Sequence, residues 1–427
     1  MRALAGLCLA VLLGAAAFAR QPPPFRYDTE YPYIKYRTTP PAERVAALQA
    51  KTNRGEIRLA TTARRGYLDA VLRALDIDAA SQGLVFSKTS LQTAGIRSAT
   101  PRAIYFNDDT YVAWVQGAST LEIASMDPAL GPVFHTVDQR APQPRFERQN
   151  ERCLACHDSY SLTGGGVPRF ISGSGYTKPS GDLVSHERWI LTTHRTPLRS
   201  RWGGWYVTGR ADRTAHLGNM PVADVAVLAD LDRARKGTLA GLDALLDTSP
   251  YPAPTSDIVA LLVLEHQITV QNAIVKANYD ARGALDRAAR GDKQAATTER
   301  LQAIADPLVE ALFLAGEAPL PGPIAGSSGF GGRFAARGPR DRQGRSLRDL
   351  DLQRRLFRYP LSYLVYSSAY AALPDPLRRV VEQRIEDVLG AADRSGRFAH
   401  LSEADRAAIR AILADTRQPR LQIEDRD

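Results

Sequence analysis

The segment Ala103-Ile-Tyr-Phe-Asn-Asp-Asp-Thr-Tyr-Val-Ala-Trp-Val115 decides the fold class. β-Branched and aromatic side chains crowd both flanks. Asn107-Asp108-Asp109 interrupts them with residues whose side chains bond their own backbone in turns. The stretch therefore predicts a hairpin of two strands, Ala103–Phe106 and Thr110–Val115. Working outward, Leu84–Phe86, Leu121–Ala124 and Val133–Val137 have the same short apolar character and extend the hairpin into a meander. Upstream, apolar residues recur at helical spacing in Ala42–Lys51 (Val45, Leu48) and Arg65–Leu75 (Leu68, Val71, Leu72, Leu75). Downstream, Trp189–Thr193 and Trp205–Thr208 read as further strands.

From about Pro254 the pattern turns helical. Ile258–Ala289 reads as one long helix, followed by Thr298–Leu314, Asp349–Ala372, Pro376–Leu389 and Glu403–Ala414. Residues 316–345 are dense in Gly, Pro and Arg and read as an irregular loop. The fold class is thus α+β: a β-containing N-terminal half followed by a mainly α-helical C-terminal half. The boundaries read as 1–19, 20–41, 42–253 and 254–427, and no internal repeat is present.

Residues 1–19 open with Met1 and Arg2, continue through an apolar run from Leu4 to Phe18, and end at Ala17-Phe18-Ala19. This is the pattern of a secretory signal peptide cut after Ala19, and it predicts a periplasmic or secreted protein with no membrane span once the peptide is removed. Residues 20–41, rich in Pro and Tyr, read as an extended arm. The remaining length suits about two or three domains. The net charge of +9 is spread along the chain, and the 48 Arg against 7 Lys form no block of the kind that tracks phosphates, so nucleic acid is not an expected partner. Cys8 leaves with the signal peptide, which leaves one close pair, too few for a disulfide scaffold.

That pair is Cys153-Leu-Ala-Cys-His157, the Cys-x-x-Cys-His pattern of c-type haem attachment. Two thiols one helical turn apart can each join one vinyl group on a porphyrin edge, and the adjacent histidine then serves as proximal iron ligand. Random placement of two cysteines and a histidine gives this spacing about once in 10⁴. A thioredoxin-like pair would need a strand–helix–strand frame, and a zinc site two further ligands; neither pattern is in the sequence.

The runs Leu84-Val-Phe-Ser-Lys-Thr-Ser-Leu91, Pro101-Arg-Ala-Ile-Tyr-Phe-Asn-Asp108, Arg201-Trp-Gly-Gly-Trp-Tyr-Val-Thr-Gly209 and Leu356-Phe-Arg-Tyr-Pro-Leu-Ser-Tyr363 resemble a family of large secreted bacterial proteins with one c-type haem motif. The resemblance covers nearly the whole mature chain. It implies one covalent haem c and export, and it supplies no reaction.

For the second axial position the sequence offers His216 and Met220, which share one loop ahead of Pro221. Met126 closes a predicted strand and reads as core. His266 lies on an i, i+4 row with Leu262, Val270 and Ile274, which reads as a buried histidine rather than a ligand; His135, His186, His194 and His400 carry no ligand signal. Arg169, Arg199, Arg201, Trp202 and Trp205 are candidate partners of the haem propionates, because guanidinium forks and indole N–H groups suit carboxylates. Function then reads as electron transfer with a redox partner protein or a small donor or acceptor. The alternatives are a haem enzyme, peroxidase-like or acting on a small substrate, and a haem-bearing sensor or interaction protein.

Overall fold

In the computed structural model, residues 31–185, 188–211, 215–222 and 237–417 are described. Residues 1–19, residues 20–30 of the expected arm and His186 lie outside them. The predicted hairpin is present as β2 (Arg102–Phe106) and β3 (Thr110–Trp114), paired antiparallel with Ala103 opposite Trp114. Asn107 makes the turn: its Oδ1 accepts from Asp109 N and Thr110 N, while its Nδ2 donates to Leu75 O.

With β1 (Gly83–Val85), β4 (Thr120–Asp127), β5 (Gly131–Asp138) and β6 (Phe146–Arg148) these form a six-stranded antiparallel meander in chain order. β6 has only three residues and no strong alternation, and the sequence did not signal it; pairing with β5 makes it a strand.

Both faces of this sheet are covered, and the two-residue strand period sorts side chains between them. Tyr105, Val112, Trp114, Leu121 and Ile123 face α1 (Arg44–Asn53) and α2 (Leu68–Ala74). Phe106, Tyr111, Met126 and Phe134 face a second, larger core. At the centre of that core runs the 32-residue helix that follows α3 (Leu154–His157) and α4 (Tyr160–Thr163), α5 (Ile258–Ala289). Its mean hydropathy and length are those of a membrane span, but 83% of the apolar window is buried within the fold, so packing accounts for its composition.

Asp257 caps α5 by accepting from Val259 N and Ala260 N. The same carboxylate accepts from Ser327 N and Ser328 N, tying the 316–345 segment to the helix start. Gln267 and Gln271 dock α5 on the β2–β3 turn through the carbonyls of Asn107 and Asp108, both at 2.8 Å. Gly131 opens β5 at φ +76°, where a Cβ would lie 2.6 Å from Val275 of α5; the sheet and helix approach this closely only over glycine.

The C-terminal half continues with α6 (Thr298–Leu312), the short α7 (Phe330–Ala336) inside the irregular segment, α8 (Ser368–Ala371), α9 (Asp375–Leu389) and α10 (Glu403–Thr416). The predicted helix Asp349–Ala372 is not formed. Pro360 lies in its middle, and Leu352 has φ +56° as the chain folds back to pair Leu350 with Phe357. Most of its apolar residues are buried all the same, on loop, a 3₁₀ turn (Tyr363–Tyr366) and the single turn α8 rather than on one helical stripe. The arrangement is α+β, with sheet and long helix sharing one core.

Candidate functional site

β5 and β6 carry the chain to the cysteine motif at the sheet edge. α3 is a single turn with Cys153 at its start, and Cys153 O accepts from Cys156 N and His157 N. Both thiols are free; Cys153 is partly buried against the main core and Cys156 is exposed. Burial pushes the Cys153 thiol up to about 12. Redox cysteines need a lowered thiol pKa, so Cys153 is not an activated thiol.

Beyond His157 the chain turns back sharply. α4 ends at Gly164, and Gly164, Gly165 and Gly166 have φ of +83°, +70° and +76°, a run that side chains with a Cβ adopt only with strain. This reversal returns Arg169 to the motif. Arg169 N donates to His157 O at 2.9 Å, and Arg169 O accepts from the His157 ring Nδ1 at 2.7 Å. A carbonyl can only accept, so Nδ1 carries the hydrogen, and Nε2 is left as the lone-pair nitrogen of a neutral ring. The ring is kept neutral by burial, with a smaller contribution from Arg102, its pKa lying at about 4. Phe134 of β5 packs against the imidazole with centroids 4.4 Å apart.

The strap that supplies Arg169 is itself held by α5. Asn272 Oδ1 accepts from Phe170 N and Asn272 Nδ2 donates to Phe170 O, both at 2.9 Å. Asn272 and the Arg169 carbonyl were missed by the sequence reading. Asn272 is one of several amides on α5, with Gln267, Gln271 and Asn278, so its residue type did not single it out, and a backbone carbonyl gives no signal.

Cys153, Cys156, His157 and Arg169 thus come together, whereas the remaining candidates gather around Trp202. Arg201 is 3% exposed and its donors are engaged: NH1 with Glu265 at 2.9 Å, Nε with Thr196 O and NH2 with His194 O. Trp202 is 2% exposed at φ +65°, and its ring meets His216 edge-on at 5.3 Å. His216 accepts from Gly218 N through Nδ1 and pairs with Thr238 through Nε2. Met220 is buried in a small cluster with Leu217 and Val222. Trp205 donates to Gly173 O, and Arg199 is exposed. Met126 is core. His266 pairs with Ser362, His135 with Glu43, and His400 with Phe313 O.

His194 is 2% exposed, stacks on His266 at 5.6 Å, and has no hydrogen-bond partner on either ring nitrogen. Burial, reinforced by Arg195 and Arg201, lowers its pKa to about 3. The unfolded chain protonates this residue below about 6.5, the folded chain only near 3, so its presence costs stability as pH falls through that window. His194→Phe removes the penalty. Relative to wild type, the variant is expected to gain about 2 kcal/mol between pH ~7.5 and pH ~5, measured by urea unfolding at both; a pH-independent difference would contradict the neutral ring.

No family model, no curated protein and no solved structure matches the chain.

Proposed function

We propose that this protein is exported after loss of Met1 to Ala19, carries one haem c on Cys153 and Cys156 with His157 as proximal ligand, and transfers electrons to or from a redox partner protein or small molecule. The observation that carries the reading is the His157–Arg169 pairing. It holds a neutral imidazole with Nδ1–H committed to a carbonyl, which is how a metal-ligating histidine is oriented and made more basic.

The residues present fit the group. Cys153 and Cys156 lie one helical turn apart as free thiols, and Cys156 is exposed. When bound, the haem supplies reversible one-electron chemistry at iron. Phe134 packs on the imidazole and the Arg169 carbonyl on the glycine-bent strap fixes its plane. Of the two expected second ligands, His216 spends both ring nitrogens on Gly218 N and Thr238 and Met220 packs with Leu217 and Val222, so the proposal takes iron ligation from His157 alone.

The deciding experiment is production in the periplasm with haem-attachment machinery. A coloured protein is expected, whose mass exceeds that of the bare mature chain by one haem, and Cys153→Ser/Cys156→Ser should lose both properties. Colourless material with the bare mass overturns the proposal.

A further inference from the structure

We infer that the cleft between α5, α6 and the glycine-bent strap is a binding site for an amphipathic organic carboxylate. The cleft has a volume of about 890 Å³, and Cys153, Cys156 and His157 do not line it. Its size is that of a small-molecule site. This inference stands whether or not a haem is attached to the motif.

Charge points to the sign of the ligand. Arg169, Arg287 and Arg300 all line the cleft; Arg169 is attracted by Asp280 and Asp158, whereas Arg287 and Arg300, both exposed, form no ion pair among the described residues. Lys276 is neutralised by Asp280 at 2.6 Å. Glu299 is the one acid left, and it interacts with Thr297 and its own backbone at the start of α6. The cleft therefore carries a positive excess, with Arg169, Lys276, Arg287 and Arg300 set against Asp280 and Glu299. A guanidinium fork takes a carboxylate in two parallel hydrogen bonds, and unpaired cations disfavour a cationic guest.

Shape points to the rest of the ligand. The helix walls offer Ala273, Ala277, Ala303, Ile304 and Leu308, small or aliphatic side chains that leave room between α5 and α6. At one end Tyr31 and Tyr33 stack at 5.0 Å, forming a flat aromatic wall. Tyr33 seats against Gly283, where a Cβ would lie 2.8 Å from its hydroxyl. Apolar walls, an aromatic end and a positive excess in the lining together fit an acid with a hydrocarbon or aromatic body.

The test is calorimetric titration of the mature protein with decanoate and with 2-naphthoate, which separates an aliphatic from an aromatic guest. Saturable one-to-one binding of at least one acid is expected, with none for decylammonium. Arg287→Glu/Arg300→Glu, on exposed positions, is expected to weaken binding at least tenfold. Ala303→Leu narrows the cleft without touching charge and should also weaken it, so a folding defect in the first variant does not remove the test. Absence of saturable binding by both acids, or affinity unchanged in both variants, overturns the inference.

Discussion

Arg201→Met is expected to destabilise the protein by about 3–5 kcal/mol, the cost of leaving one member of a buried ion pair without its partner. Glu265 is 1% exposed, and burial already raises its pKa against the pull of Arg201. Removing the guanidinium strands the carboxylate in a low-dielectric interior or forces it to take up a proton. It also releases the carbonyls of His194 and Thr196, which Arg201 holds at 2.8 and 2.7 Å. Arg201→Met/Glu265→Leu should recover much of the loss, because replacing both partners by apolar groups removes the desolvation cost together with the attraction. Chemical unfolding of wild type, Arg201→Met, Glu265→Leu and the double variant completes a double-mutant cycle. A single-variant loss below about 1 kcal/mol would mean that water reaches the pair, since exposed ion pairs have that worth.

Asn272→Ala is expected to cost about 2–4 kcal/mol, because it leaves the buried backbone N–H and C=O of Phe170 without partners at about 1–3 kcal/mol each. Phe170 is 5% exposed, so water is a poor substitute. The functional consequence follows one residue earlier, where the Arg169 carbonyl orients His157. In the haem-loaded protein the proposal expects Asn272→Ala to move the midpoint potential, since hydrogen bonding to a ligating imidazole tunes the metal. Asn272→Asp, which can still accept from Phe170 N but cannot donate to Phe170 O, should lie between wild type and alanine in both measurements. If the potential is unmoved while stability falls, Asn272 holds the fold alone and has no positioning role.

Much of the architecture is legible in local patterns. Asn107-Asp108-Asp109 bonds its own backbone, the two-residue period distributes β2 to β5 between two cores, and the apolar run from Ile258 writes a long buried helix beginning at the Asp257 cap. In the same way, the spacing from Cys153 to His157 places two thiols and an imidazole on one helical turn. These features depend on residues within a turn or two of one another, where steric and hydrogen-bond rules act without knowledge of the rest of the chain.

Other features escaped because they arise between distant segments. The helix expected over Asp349–Ala372 had apolar residues at suitable spacing, but those residues are buried by meeting α5 and α7 from an irregular path around Pro360. Arg201, Trp202 and His216 were sensible haem partners by residue type; the fold commits Arg201 to Glu265, 64 residues away, and spends both nitrogens of His216 within its own surroundings.

The sequence by itself determined the kinds of element and the chemistry of the cysteine motif, because a hairpin, an apolar helix and a thiol pair on one turn each need only nearby residues. Which nitrogen of His157 keeps its lone pair, which amide holds the strap, and which arginines stay unpaired in a cleft were decided by tertiary structure alone. Each depends on burial and on a partner brought from elsewhere in the chain, and a buried polar group takes its state from whichever donor or acceptor folding places beside it.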